Sequence, residues 1–228
     1  MAEDGRTTEG WLNRMGEIGD VSPRLLEMRR LADVARLVIE RLAATDAPLE
    51  VIERAAEHLE AAAAELEGHG VARSYEGFAE SANSGDPRAF FDHSPFIGLA
   101  NPLAPPLRIE FAEDRVIARV TFGSTYEGPP GSVHGGYIAA AFDEVLGMAQ
   151  SLGGTPGMTG TLSVKYRKPT PLHSELRFEG TLDRVDGRKL FTSGACYDGD
   201  TLTAEAEGLF IKVDFAKIVA MMAERDRA

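Results

Sequence analysis

The spacing of apolar residues changes once along this chain, and that change limits what it can fold into. Before about residue 70 apolar positions recur at three- and four-residue steps; from residue 107 they alternate. "LRIEF" and "VIARVTF", parted by "EDR", read as a hairpin. The stretch 134–150 reads as one long helix, and the strands "TLSVKYRKP", "ELRFEGTLDRV", "KLFTSGACY" and "LTAEAEGLFIKV" follow it. Asp-Gly turns in "VDGR" and "YDGD" separate the last three. Two strands, one helix and four strands predict an α+β arrangement, a single antiparallel sheet laid against one helix. The unbroken apolar run 137–142 suits a helix wrapped by that sheet.

The earlier part is written differently. "SPRLLEMRRLADVARLVIERLAAT" sets Ser22 at an N-cap and Pro23 at the first helical position. Leu31, Ala35, Val38 and Leu42 form its apolar stripe. "AATDAP" breaks the chain, and a second helix runs through "LEVIERAAEHLEAAAAELEG", with Leu49, Ile52, Leu59 and Leu66 on one face and Gly68 at its end. An antiparallel helical hairpin is expected, packed on the core or on a partner subunit. The divisions predicted are an extension over 1–75, a linker and short helix over 76–106, the main domain over 107–214 and a helical tail over 215–228.

Charge and motifs remove several function classes. The net charge of −12 argues against nonspecific nucleic-acid binding, which needs a basic footprint. Cys196 is the only cysteine, so no internal disulfide can form and a reducing compartment fits. "MAEDGRTTEG" is no secretory leader, and no apolar run approaches the ~18 residues of a membrane helix. A soluble cytoplasmic protein without membrane attachment is expected. There is no Walker loop, GxGxxG, HExxH or GxSxG, which sets aside the common nucleotide, zinc-protease and serine-hydrolase readings; no metal is expected.

The chemistry concentrates in "GPPGSVHGGYIAAAFDEVLG", residues 128–147. A helix N-terminus exposes unpaired N–H groups with partial positive charge, and glycine there lets a ligand approach the backbone. Gly135 and Gly136 could point an amide at a carbonyl oxygen and stabilise the oxyanion formed on attack. Asp143 is the candidate base or nucleophile. It lies seven residues after Gly136, roughly 10 Å along the axis. Two antiparallel copies of the helix would bring one copy's glycine near the other's acid. Taken singly these signals are weak: Gly-Gly before a helix is most often a turn, and His134 alone is more often a cap than a catalyst.

In combination the chain resembles the hotdog-fold acyl-CoA thioesterases, in the PaaI-like and thioesterase-superfamily-member-four-like branch. The residues that carry this are "VHGGYIAAAFDEVLG", "MTGTLSVKYRKPTPL", "VDGRKLF" and "AEAEGLFIKV". The resemblance implies a sheet wrapped around the long helix, and a homodimer or dimer of dimers with sites between protomers. It implies hydrolysis of an acyl-CoA, a step of fatty acid metabolism, with no cofactor beyond the coenzyme A of the substrate. It assigns the oxyanion to Gly136, with Gly135 as runner-up, and the role of base or nucleophile to Asp143. His134 would orient the loop or contact the substrate, and Thr159 would hold the acid or its water. Lys189, Arg188, Arg167 and Lys168 would meet the phosphates, Lys189 foremost. Glu144 lies ~100° from Asp143 on a helix and is secondary. "DHSPF" faintly resembles a run of the hotdog dehydratases; His93 is read as a loop residue near the entrance. The alternative function is a non-catalytic hotdog protein that binds acyl-CoA, or a partner through its helical hairpin.

Overall fold

A computed structural model of the chain describes residues 23–69, 92, 94–154 and 157–213. The expected tail over 215–228, the Ser22 cap and His93 lie outside these. The described elements are α1 (Pro23–Ala44), α2 (Leu49–Glu67), β1 (Arg108–Phe111), β2 (Arg115–Thr121), a short 3-10 turn (Ser124–Tyr126), α3 (Gly135–Ser151), β3 (Gly157–Tyr166), β4 (Glu175–Asp186), β5 (Lys189–Asp198) and β6 (Thr201–Lys212). The strands form one six-stranded antiparallel sheet in the order β1-β2-β4-β5-β6-β3. The α+β class and the order of two strands, one helix and four strands are as the alternation predicts.

The core is the contact of α3 with one face of this sheet. Ile138, Ala141, Phe142, Val145, Leu146 and Ala149 of α3 are buried. Alternate residues of the strands meet them: Val116, Ala118 and Val120 on β2, Leu176 and Phe178 on β4. The Phe142 and Phe178 rings pack edge to face, 5.1 Å between centroids. The helix sits close to the strands because β4 and β5 carry glycine beneath it. A Cβ on Gly180 would lie 3.0 Å from Val145, and one on Gly194 3.0 Å from Leu146. The Asp-Gly turns form as predicted, with Gly187 at φ 56° and Gly199 at φ 55°.

β3 begins at Gly157, four residues before the alternation suggests. Glycines at 157 and 160 and a register shift between Thr159 and Thr161 interrupt the two-residue period there. Among the described residues β3 pairs only with β6, which leaves its other edge without a strand.

The two N-terminal helices are both present, and α1 docks on the core through charged side chains. Arg29 forms two hydrogen bonds to the Asp92 carboxylate, at 2.8 and 2.9 Å, and Asp92 is buried. Arg36 donates to the carbonyls of Asn101 and Leu99. Glu40 accepts from the Ser124 and Thr125 amides at 2.7 and 3.2 Å, at the start of the 3-10 turn. Burial raises the Glu40 carboxyl, but the hydrogen bonds from Ser124 and Thr125 together outweigh it and hold the group below its usual range. Ala32 is the one buried residue of α1, while Leu31 and Leu42 of the predicted apolar stripe face outward. Every residue of α2 is exposed.

Candidate active site

The loop before α3 delivers His134 to its N-cap. The His134 carbonyl accepts from the Tyr137 and Ile138 amides, and its Nδ1 accepts from the Gly136 amide at 3.1 Å. A ring accepting at Nδ1 carries its proton on Nε2, so the outer nitrogen is a donor. The Gly136 N–H is therefore occupied by the cap. The Gly135 N–H, one residue earlier, donates to no partner among the described residues. Both glycines sit at the helix start as expected, but the open amide is that of Gly135.

Tyr166, at the end of β3, covers the other side of this turn. Its hydroxyl donates to the Gly135 carbonyl at 2.8 Å. A Cβ on Gly135 would lie 3.2 Å from the Tyr166 ring, so glycine is what lets the tyrosine approach. The ring is about half exposed, at 53%. Sequence reasoning did not single out Tyr166; its only signal was an aromatic residue at a strand end beside "RK".

Two turns further along α3 the chain sets two carboxylates side by side. Asp143 accepts a hydrogen bond from the Thr159 hydroxyl at 2.8 Å. The bulge in β3 falls at this threonine. Glu144 points elsewhere: the Ser94 hydroxyl donates to it at 3.3 Å. Burial, and then the nearby Asp143 carboxylate, push the Glu144 carboxyl up to about 7, against the opposing Ser94 bond. The adjacent acids thus serve different faces of α3. The Glu144–Ser94 contact was not legible in the sequence, since Ser94 lies 50 residues upstream with no spacing signal.

The four predicted cations separate into two ends and two states. Met158, Ile211 and Lys189 share one row of the sheet, beside the row holding Thr159. Tyr166 pairs with Ala204 at the far end, where Arg167 and Lys168 follow. At ~3.3 Å per residue the two ends are on the order of 30 Å apart, so one chain does not bring all four together. Arg167 is paired with Glu205, and Arg188 donates to the Lys212 carbonyl. Lys168 and Lys189 have no ion-pair partner among the described residues.

Other chemistries find less support. Cys196 is buried, and burial pushes its thiol up to about 12, so it is no thiolate nucleophile at neutral pH. Among the described residues no three His, Cys, Asp or Glu side chains converge as metal ligands, and no helix is long and apolar enough to cross a membrane.

Comparison with known proteins fits this geometry. A family profile described as "Thioesterase superfamily" matches residues 130–206, which include both ends of the site. Acyl-coenzyme A thioesterase THEM4 of Rattus norvegicus is 40% identical over 105 residues, covering 45% of each chain. Acyl-coenzyme A thioesterase THEM5 of Homo sapiens is 32% identical over 93 residues, covering 40% of this chain and 38% of its own. The matched stretch thus spans less than half the length of these curated relatives. A solved thioesterase superfamily protein is 39% identical, with a TM-score of 0.73, over 85% of this chain and 92% of its own. That coverage carries the likeness into the N-terminal helices, because residues 107–228 are only about half the chain.

Proposed function

Because this chain belongs to the thioesterase superfamily, we propose that it hydrolyses an acyl-CoA thioester to the free acid and coenzyme A, at a site shared by two protomers. The observation that carries the reading is the Thr159–Asp143 hydrogen bond of 2.8 Å. A hydroxyl donor fixes the rotamer of the carboxyl group and leaves its second oxygen free to accept a proton from water.

The spacing along α3 supports a shared site. Eight residues separate Gly135 from Asp143, roughly 12 Å along the axis, too far for both to act on one carbonyl within a helix. The open edge of β3 offers the second copy a seat. If two β3 edges pair antiparallel, the Thr159 end of one strand lies beside the Tyr166 end of the other. Asp143, Thr159 and Lys189 of one protomer then face Gly135, Tyr166 and Lys168 of its partner.

The reaction follows from these groups. Asp143 takes a proton from water as the water oxygen bonds to the thioester carbon. The carbonyl oxygen becomes an oxyanion and is held by the Gly135 amide at the positive end of α3. The His134–Gly136 cap and the Tyr166–Gly135 bond keep that amide aimed. The tetrahedral species collapses, its C–S bond breaks, and the coenzyme A thiolate leaves and is protonated. Lys189 and Lys168, uncommitted to ion pairs, are the cations we expect at the phosphates.

Thiol release measured over short, long and aromatic acyl-CoAs tests this reading. Asp143→Asn should lower kcat on the order of 100-fold or more with an unchanged circular dichroism spectrum. Near-normal turnover in that variant, or no turnover of any acyl-CoA by the unaltered chain, would overturn it.

A further inference from the structure

We propose that α2 is an assembly element that packs on α1 of a second copy of this chain. Standing alone, α2 lacks the packing that stabilises a helix of its length. Isolated helices shorter than about 15 residues are marginal in water, and longer ones gain most of their stability by packing an apolar face. α2 has 19 residues, all exposed, and none is buried against the described residues of its own chain.

Its sequence is nevertheless that of a packed helix. Ile52, Leu59 and Leu66 recur at seven-residue steps, with Ala55, Ala56, Ala62 and Ala63 between them. At 100° per residue these positions occupy one side, and Glu50, Glu53, Glu57 and Glu60 the other. Small and large residues alternating at a heptad spacing suit close approach of another helix.

The complement is on α1. Its docked side is spent on Asp92, Asn101 and Ser124, which leaves Leu31, Val34 and Leu42 facing outward at 44%, 48% and 55% exposure. The charges match as well. α1 carries five bases against three acids, and α2 six acids against one base. A basic helix with an outward apolar stripe and an acidic helix with an uncovered one suit each other, yet within one chain they do not cover each other.

The area suits a subunit contact. Ten large apolar side chains on α1 and α2 are between 41% and 65% exposed. Together they offer something near the ~800 Å² that one partner gives to a standard interface. Monomers rarely leave apolar patches that large uncovered. A reciprocal exchange, α2 of each copy on α1 of the other, buries both stripes in a closed two-fold arrangement. The acidic side of α2 disfavours anionic lipid and nucleic acid as occupants.

The test uses the full chain. A photoreactive benzoyl-phenylalanine replaces Leu59 in an unlabelled chain, which is mixed with an equal amount of unaltered nitrogen-15 chain and left to exchange subunits. After illumination, about half of the α1 peptides linked to position 59 should be heavy. Amide exchange over 49–67 should be slow in the unaltered protein and at least tenfold faster in the Ile52→Glu/Leu59→Glu/Leu66→Glu variant. Linked α1 peptides that are all light would place the contact within one chain and overturn the proposal. So would fast exchange over 49–67 in the unaltered protein, or protection that arises only with phosphatidylcholine–phosphatidylserine vesicles. The proposal stands independently of the thioesterase reading: thiol release, followed in parallel, bears on that reading alone.

Discussion

α1 and α2 are neighbours of similar length and similar periodicity, and they meet opposite fates. α1 is anchored by Arg29, Arg36 and Glu40, with Ala32 its only buried residue, while α2 touches nothing that buries it. The difference teaches that docking on this core combines polar partners at fixed points with an inward side of Met28, Ala32, Ala35 and Ile39, and among the described residues α2 has neither. Leu31, Val34 and Leu42 of α1 point away from the core, to the same solvent that α2 meets.

The sharpest way to break that comparison is to unpair the buried anchor. Arg29→Ala leaves the Asp92 carboxylate buried and uncompensated, and should cost roughly 3 kcal/mol in urea unfolding. A loss below about 0.5 kcal/mol would mean that α1 is held by something else. Glu40→Gln comes next. It exchanges charge-assisted hydrogen bonds for neutral ones and should cost about 1 kcal/mol at pH 7. Because the folded Glu40 carboxyl lies below its usual value of 4.5, its contribution is present above that pH and is lost as the pH falls through the folded value. The cost of the substitution should therefore shrink in acid, which melting curves across pH would show.

The helices themselves were legible in the sequence, since Pro23, the three- and four-residue steps and the "TDAP" break are local signals. Which side of α1 docks was not. Its partners Asp92, Asn101 and Ser124 lie 63 to 84 residues away, and no periodicity encodes them. The same division holds at the candidate site. The order of elements along the chain and the glycine-led helix follow from alternation and turn chemistry, whereas the pairing of β3 with β6 does not. The Thr159–Asp143 contact was expected through family resemblance, not spacing, and the bulge at Thr159 hides the strand that carries it. That His134 would occupy the Gly136 amide and leave Gly135 open depends on one rotamer, which the sequence does not specify.

Glu144 gives a smaller and pH-dependent effect. Its folded carboxyl sits at about 7 against a usual 4.5, so it stabilises the fold fully below the lower value and loses that contribution as pH rises through the upper one. Glu144→Gln should raise Tm relative to the unaltered chain at pH 8, with the difference closing near pH 5. An identical offset at both pH values would contradict the burial argument. Smallest of all, Glu57→Gln on the acidic side of α2 should change stability by less than about 0.5 kcal/mol, as expected for an exposed surface position. A larger loss would show that this side also is packed.

The central claim is that two protomers each supply half of one catalytic site, and a heterodimer tests it most directly. Gly135→Pro removes the proposed donor at a first helical position. The backbone suits proline there, since His134 at ψ 130° already has the extended conformation that precedes it, and the added Cβ also crowds the Tyr166 ring, so the donor and the Tyr166 support of the turn are both lost from that copy. Asp143→Asn removes the base. Differently tagged Gly135→Pro and Asp143→Asn chains are co-expressed, and the mixed dimer is isolated by sequential affinity steps. Each parent homodimer should release thiol at about 1% of the unaltered rate or less. The mixed dimer keeps one site with both groups intact and should recover about half of the unaltered rate per dimer, given the donor and base roles argued above. A mixed dimer as inactive as its parents would contradict the account.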